Sequence, residues 1–173
     1  MKRIALIILV ALLSLAIAFT GCSKKDSPTG DDGNGGGNAF NQKFTFTLTG
    51  DLAGSIDDAS QFAAASNNGG TAVTGFFVLN NVTYMLTIVI AMDPPKTGSF
   101  PVVDNGALNT DNAAATIHNE ANPANAYWSD SGTVTITEAG NYLKGSFNIV
   151  LSEAGTAAQV TINGSFELVH VVL

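Results

Sequence analysis

From residue 40 onward, apolar and polar residues trade places with a period of two. Phe44, Phe46 and Leu48 alternate with Thr45, Thr47 and Thr49. Val134 and Ile136 alternate with Thr133, Thr135 and Thr137. Leu143, Gly145, Phe147, Ile149 and Leu151 form one set, opposed by Lys144, Ser146 and Asn148. Val160, Ile162, Gly164, Phe166 and Leu168 repeat the pattern against Thr161, Asn163, Ser165 and Glu167. A period of two puts each set on one face of a strand, so these are half-buried antiparallel strands. Residues 84–91 (YMLTIVIA) are apolar on both faces and predict a more central strand. Threonine and β-branched residues supply the strand propensity.

Turn clusters separate the runs: Asn67-Asn68-Gly69-Gly70, Asn80-Asn81, Asp93-Pro94-Pro95, Asp104-Asn105-Gly106 and Ala139-Gly140-Asn141. Asn80-Asn81 between two apolar runs predicts a tight hairpin. No stretch after residue 40 carries a convincing helical period. Residues 57–66 stay open between one short helix and a strand through Gln61-Phe62-Ala63-Ala64. Gly-Ser-Phe recurs at 98–100, 145–147 and 164–166, with Gly75-Phe76-Phe77 as a looser relative. Glycine and phenylalanine two apart share a strand face. An inward glycine makes room for a neighbouring ring and lets the strand bend, so the repeat reads as core packing. The expected fold is all-β and antiparallel, an eight- to ten-stranded sandwich or partly closed, calycin-like barrel.

The first 39 residues are of another kind. Lys2 and Arg3 precede an uncharged, almost wholly apolar run at 4–19, the length of a signal-peptide core and short for a spanning helix. Phe19-Thr20-Gly21-Cys22 follows, and Cys22 is the only cysteine. These four residues resemble the lipobox of bacterial lipoproteins, although Phe19 stands where leucine is usual. The resemblance implies cleavage before Cys22 and two or three palmitate-type acyl chains on it. An uncleaved anchor and an ordinary secretory signal are the alternatives. One acyl chain anchors only marginally, at about 0.8 kcal/mol per buried methylene, whereas two or three hold stably. Residues 22–39 are the lipidated cysteine and a Gly/Asp/Asn-rich tether. Its 16-residue stretch 23–38 holds no apolar residue and spans about 20–25 Å as a flexible coil. Residues 40–173 make one domain of ordinary size.

Charge narrows the partners. The chain carries a formal net charge of −7. Without residues 1–21 it keeps five lysines against fourteen acids and no arginine. Arginine is the favoured bidentate partner of phosphate, so nucleic acid and phosphorylated substrates are poor candidates. There is no polybasic patch for anionic lipid, which leaves the anchoring to Cys22. With that cysteine acylated, no disulfide forms within the chain.

Ser131-Gly132-Thr133-Val134-Thr135-Ile136-Thr137, Lys144-Gly145-Ser146-Phe147 and Val160-Thr161-Ile162-Asn163-Gly164-Ser165-Phe166 are similar to segments of a family of uncharacterised small β-rich lipoproteins of the Bacteroidota. The resemblance implies three consecutive antiparallel strands closing an all-β domain, with Gly98-Ser99-Phe100-Pro101-Val102 as a mid-domain strand. It carries no established activity. Some relatives are described as lipocalin-like, which keeps a small-ligand barrel open.

Candidate chemistry is sparse. His118 and Glu120 share a face if their segment is a strand, but two ligands do not make a zinc site. His170 falls in a terminal strand, on the side of Phe166 and Leu168 if alternation continues. Residues 109–120 have the length of a calcium loop, with Asn109, Asp111 and Glu120 placed to ligate. Ala113 and Ala114 fall where a ligand and the turn glycine are needed, so no metal or other cofactor is expected. No Gly-x-Ser-x-Gly elbow, phosphate loop or His-Glu-x-x-His is present. Paired-acid catalysis needs two carboxylates facing one cleft, and the acids fall mostly in turns or the tether.

Tyr127 and Trp128 are adjacent and so point to opposite strand faces. One belongs to the core and the other could be an exposed stacking platform, but core packing of both across curved sheets is the expected account. The expected ligand-binding residues are Trp128, Tyr127 and His118. The expected function is a non-enzymatic cell-envelope lipoprotein, sited at the outer membrane, whose β-domain binds or engages a surface. Its partners are the membrane through Cys22 and a small apolar ligand, a glycan or an envelope protein. The runner-up is a calycin-like carrier of a small apolar ligand, and a hydrolase-type enzyme comes third. A cavity lined by Phe and Leu favours the carrier, a filled core with an exposed aromatic favours the interaction module, and convergent carboxylates with His118 favour the enzyme.

Overall fold

The structure is a computed structural model that describes residues 42–173 except 58, 68, 93 and 94. The expected signal peptide, Cys22 and the 22–39 tether lie outside the described residues. The ten strands are β1 (Lys43–Gly50), β2 (Gly54–Ile56), β3 (Ser60–Asn67), β4 (Gly70–Leu79), β5 (Val82–Ile90), β6 (Gly98–Val102), β7 (Ala113–Asn119), β8 (Asn122–Ala139), β9 (Tyr142–Glu153) and β10 (Gln159–Val172). One 3-10 turn at Asn105–Ala107 is the helical structure among the described residues. The ambiguous 57–66 stretch is thus largely strand. No helix among the described residues is long and apolar enough to cross a membrane.

The strands form one sheet that curls into a partly closed barrel. Pairing runs β10–β3–β4–β5–β7–β8–β9 and returns to β10, with β1 and β2 attached beside β10 and β6 wedged between β7 and β8. The long β8–β9–β10 meander is antiparallel throughout, as is the β1–β10 pair. The expected antiparallel order is broken at two short places. His170, Val171 and Val172 of β10 run parallel to Ala64, Ala65 and Ser66 of β3. Val102 of β6 pairs in parallel with Ala113 of β7. The β10–β3 seam is where the ring closes, and it holds three residue pairs.

Asn80 and Asn81 make the predicted hairpin between β4 and β5. Both have positive φ, 52° and 64°, as a two-residue turn matching the strand twist requires. A second local device sits where β6 splits β7 from β8. Ala115 N–H loses its strand partner there and donates instead to Ser129 Oγ at 3.0 Å. Ser129 in turn donates to Val103 O at 2.7 Å. The hydroxyl is fully buried and spans the split, satisfying two backbone groups that water does not reach.

Phenylalanine fills the interior. Phe44 lies 5.4 Å from Phe46, 5.9 Å from Phe147 and 6.5 Å from Phe166, ring centre to ring centre. Phe46 meets Phe77 edge-on at 5.1 Å, and Phe147 stacks on Phe166 at 6.4 Å. Each such burial stabilises by ~1.5–3 kcal/mol, with more from the edge contacts. The inward glycines make the room. A β-carbon on Gly145 would stand 2.7 Å from Phe166 Cζ, and one on Gly164 would stand 2.8 Å from Phe147 Cζ. At Gly75 it would meet Phe44 Cδ1 at 2.5 Å. The Gly-Ser-Phe copies at 145–147 and 164–166 are therefore the packing device that the alternation predicts, whereas Gly98 is exposed and its β-carbon position meets only Phe100 at 3.8 Å.

Candidate functional site

The three expected binding residues sit on neighbouring strands but not on one face. Ile117 pairs with Tyr127, Thr116 with Trp128 and His118 with Ala126. Tyr127 turns inward and packs against the core cluster. Trp128 turns outward and is 37 % exposed. His118 also turns outward, with Nε2 3.0 Å from Glu120 Oε1. Among the described residues, no three His, Cys, Asp or Glu side chains gather as a metal would need. Burial, reinforced by the charges of Glu153 and Asp51 and by Tyr84, raises the Tyr127 hydroxyl above its ordinary 10.0.

Trp128 and His118 lie at the margin of a larger feature that the sequence reading missed. On β3, β4, β5 and β7 most outward side chains, like most inward ones, are apolar or threonine, with outward His118 and inward Ser66 among the exceptions. Three cross-strand rows build this outer face. The first runs Ala65, Ala72, Val89, Ala114. The second runs Thr74, Thr87, Thr116 and ends at Trp128. The third runs Phe76, Met85, His118, Ala126. Thr74 and Thr87 join through their hydroxyls at 3.4 Å. The first row continues round the barrel to Val171, which pairs with Ala65, while Val169 of the same strand pairs with Tyr142. The signal was present in residues 70–77 and 85–90, apolar or threonine at nearly every position.

These outward side chains are nearly all lost to solvent. Ala72 and Ala114 are 1 % exposed, and Phe76 and Met85 are 8 % exposed. Yet the described strands belong to one sheet, and none of them forms a second layer over this face. The opposite outer wall has a different character. Thr45 and Ser165 meet there through their hydroxyls, as do Ser99 and Thr135. Lys144 Nζ bridges Glu138 at 3.1 Å and Glu167 at 3.0 Å. The barrel thus has a hydroxyl-rich, charged wall and an apolar wall.

His170 is engaged elsewhere. Its Nε2 is 2.6 Å from Ser66 Oγ and its Nδ1 is 2.8 Å from Gly140 O. Ser66 Oγ meets Thr71 Oγ1 at 2.7 Å, and Thr71 donates to Met92 O at 2.9 Å. The serine–histidine contact has the look of a nucleophile and base, but Ser66 is fully buried and its oxygen is tied to Thr71. The chain of contacts fastens the β10–β3 seam.

No family model, no curated protein and no solved structure matches this chain.

Proposed function

We propose that the chain is a cell-envelope lipoprotein of the outer membrane, held by acyl groups on Cys22, whose β-domain is a non-enzymatic module that binds through its outer surface. The observation that carries this reading is an interior filled by packed phenylalanines with Trp128 left 37 % exposed on the outer wall. Rings packed against Gly75, Gly145 and Gly164 leave that part of the interior to side chains, which weighs against a carrier of small ligands. Trp128, 37 % exposed beside the Thr74–Thr87–Thr116 row, is the aromatic that a surface partner could meet. The anchor follows from Lys2, Arg3, the apolar run at 4–19 and Cys22.

Mass spectrometry of the protein taken from its own membranes tests the reading. A chain starting at acylated Cys22 supports it. An intact Met1, or a bare cysteine at the new N-terminus, overturns the anchor. Native spectra showing a retained small apolar molecule would favour the carrier instead.

A further inference from the structure

We propose that Trp128, Asp130 and Ser152 form a glycan-binding subsite on the outer wall of the barrel, and that its ligand is a neutral sugar chain with equatorial hydroxyls. The proposal rests on the reading that the β-domain binds through its outer surface, and it names the class of ligand.

Trp128 is the chain's one tryptophan. It stands within the sheet, paired with Thr116 on one side and Ser152 on the other, and it is 37 % exposed. An indole turns about only two side-chain torsions, so stacking a ligand on it costs little entropy.

A carboxylate is fixed beside it. The ladder between β8 and β9 passes over one residue between Ser129 and Ser131, and that extra residue is Asp130. A bulge of this kind re-aims the side chain it carries. Ser152, the residue opposite Trp128, donates its hydroxyl to Asp130 Oδ2. The exposed carboxylate is therefore held on the outer face that carries the indole. A carboxylate has about four acceptor sites and Ser152 uses one, which leaves room for two neighbouring hydroxyls of a sugar. Hydrogen bonds from hydroxyls to an ionised carboxylate are among the stronger ones. A pyranose with equatorial hydroxyls has a C–H face for the indole and a polar edge for Asp130.

The wall beyond the tryptophan continues this chemistry. One outward row of β8, β9, β10 and β1 is Thr133, Asn148, Asn163 and Thr47. The next is Thr135, Ser146, Ser165 and Thr45. Neighbouring strands stand about 4.8 Å apart and same-face rungs about 7 Å apart, so neutral donors and acceptors recur at the scale of a sugar ring. Charge returns past these rows, where Lys144 bridges Glu138 and Glu167.

The same features turn other partners away. An anionic glycan would face Asp130 with no arginine or lysine in these rows to receive it. A protein interface needs a dry apolar centre. The apolar outward side chains of the adjoining strands, Phe76, Met85 and Val89, are already shut from water at 7–8 % exposure. Trp128 is thus an isolated aromatic among hydroxyls, which is the pattern of a sugar platform and not of a protein-binding core.

The mature, acylated protein is titrated with cellohexaose, xylohexaose and laminarihexaose, and with a galacturonic acid hexamer as the charged control. Heat and Trp128 emission are read together. Saturable binding of at least one neutral chain with a shifted emission is expected, and none of the acid. Trp128→Ala is expected to weaken it about tenfold and Asp130→Asn about threefold or more. Asp130→Asn changes an exposed side chain, so it reports on the site even where Trp128→Ala unfolds. Binding that survives both substitutions in folded protein overturns the subsite, as does tighter binding of the acid. A panel in which nothing binds overturns it too, while acylated Cys22 in the mass spectrum would keep the envelope reading. Protein prepared without its acyl groups is expected to bind equally, so failure of the anchor leaves the subsite intact.

Discussion

His170 and Ser66 are 104 positions apart and share the contact that locks the barrel, at 2.6 Å. Four links run from Met92 O through Thr71, Ser66 and His170 to Gly140 O, and both ends are carbonyls that only accept. Thr71 gives its hydrogen to Met92, so Ser66 must give its own to Thr71. His170 closes the chain, with Nε2 2.6 Å from Ser66 Oγ and Nδ1 2.8 Å from Gly140 O. Removing the Ser66 hydroxyl strands Thr71 in a dry seam. Ser66→Ala is expected to destabilise by ~1–3 kcal/mol in urea unfolding. A double-mutant cycle with His170→Gln should show clear coupling. Additive effects would mean that the contact does not hold the seam.

Ser129 offers a sharper case, because its two partners are backbone groups with no substitute. Ser129→Ala leaves Ala115 N–H and Val103 C=O unpaired in the split between β7 and β8. The expected cost is ~1–3 kcal/mol for each orphaned group. Hydrogen exchange at the Ala115 amide should speed up selectively. Exchange unchanged from wild type would show that another donor or water takes over.

The aromatic core leaves no room for a β-carbon at its inward glycines. Gly145→Val and Gly164→Val place carbon against Phe166, Phe147 and the neighbouring backbone. Overpacking of this kind costs ~1–3 kcal/mol even where flexible side chains yield, and here the strand must move too. Both variants are expected to be largely unfolded when expressed. Gly155, with nothing within 4 Å of its β-carbon position, is a turn glycine with φ of +78°, so Gly155→Asn should be nearly neutral.

Tyr127 sets an alkaline limit. Its hydroxyl titrates above 10.0 in the fold, through burial first and then through Glu153, Asp51 and Tyr84. The neutral phenol is therefore the form that folding favours. Its contribution is complete below about pH 10 and fades as pH climbs through the raised value. Tyr127→Phe should retain more of its stability than wild type above about pH 10, compared at each pH by urea midpoint. Equal alkaline loss in both proteins would assign the effect to other groups.

Much of this architecture is legible in the residues, and the reasons for the rest are physical. Alternation in β1, β8, β9 and β10 gives their inward sets directly, and Gly-x-Phe spacing gives the device that packs them. Adjacent Tyr127 and Trp128 take opposite faces, and Trp128 stays 37 % exposed where core packing of both is the expectation. The 57–66 stretch was ambiguous because its alanines suit either a short helix or a strand buried on both sides. Only its neighbours Thr71–Phe76 decide for the strand. The parallel β10–β3 seam left no mark, since three residue pairs carry no periodicity of their own. The Ser66–Thr71–His170 chain was invisible for the same reason: its members come together only once the ring closes. The apolar outer wall was half visible. Two-sided apolarity in residues 84–91 predicts a more central strand, and β5 is paired on both sides and buried on both faces from Met85 to Ile90.

The order in which β10 makes its pairs dictates how such a chain must be born. β1 has its long ladder with Gln159–Val172, and β3 closes against the last three residues of that same strand. Lys43–Gly50 thus emerges first and waits more than a hundred residues for its partner. Contacts of such long sequence separation make folding slow and leave early strands with open edges. A domain wired in this way cannot close its barrel until its final strand has been made.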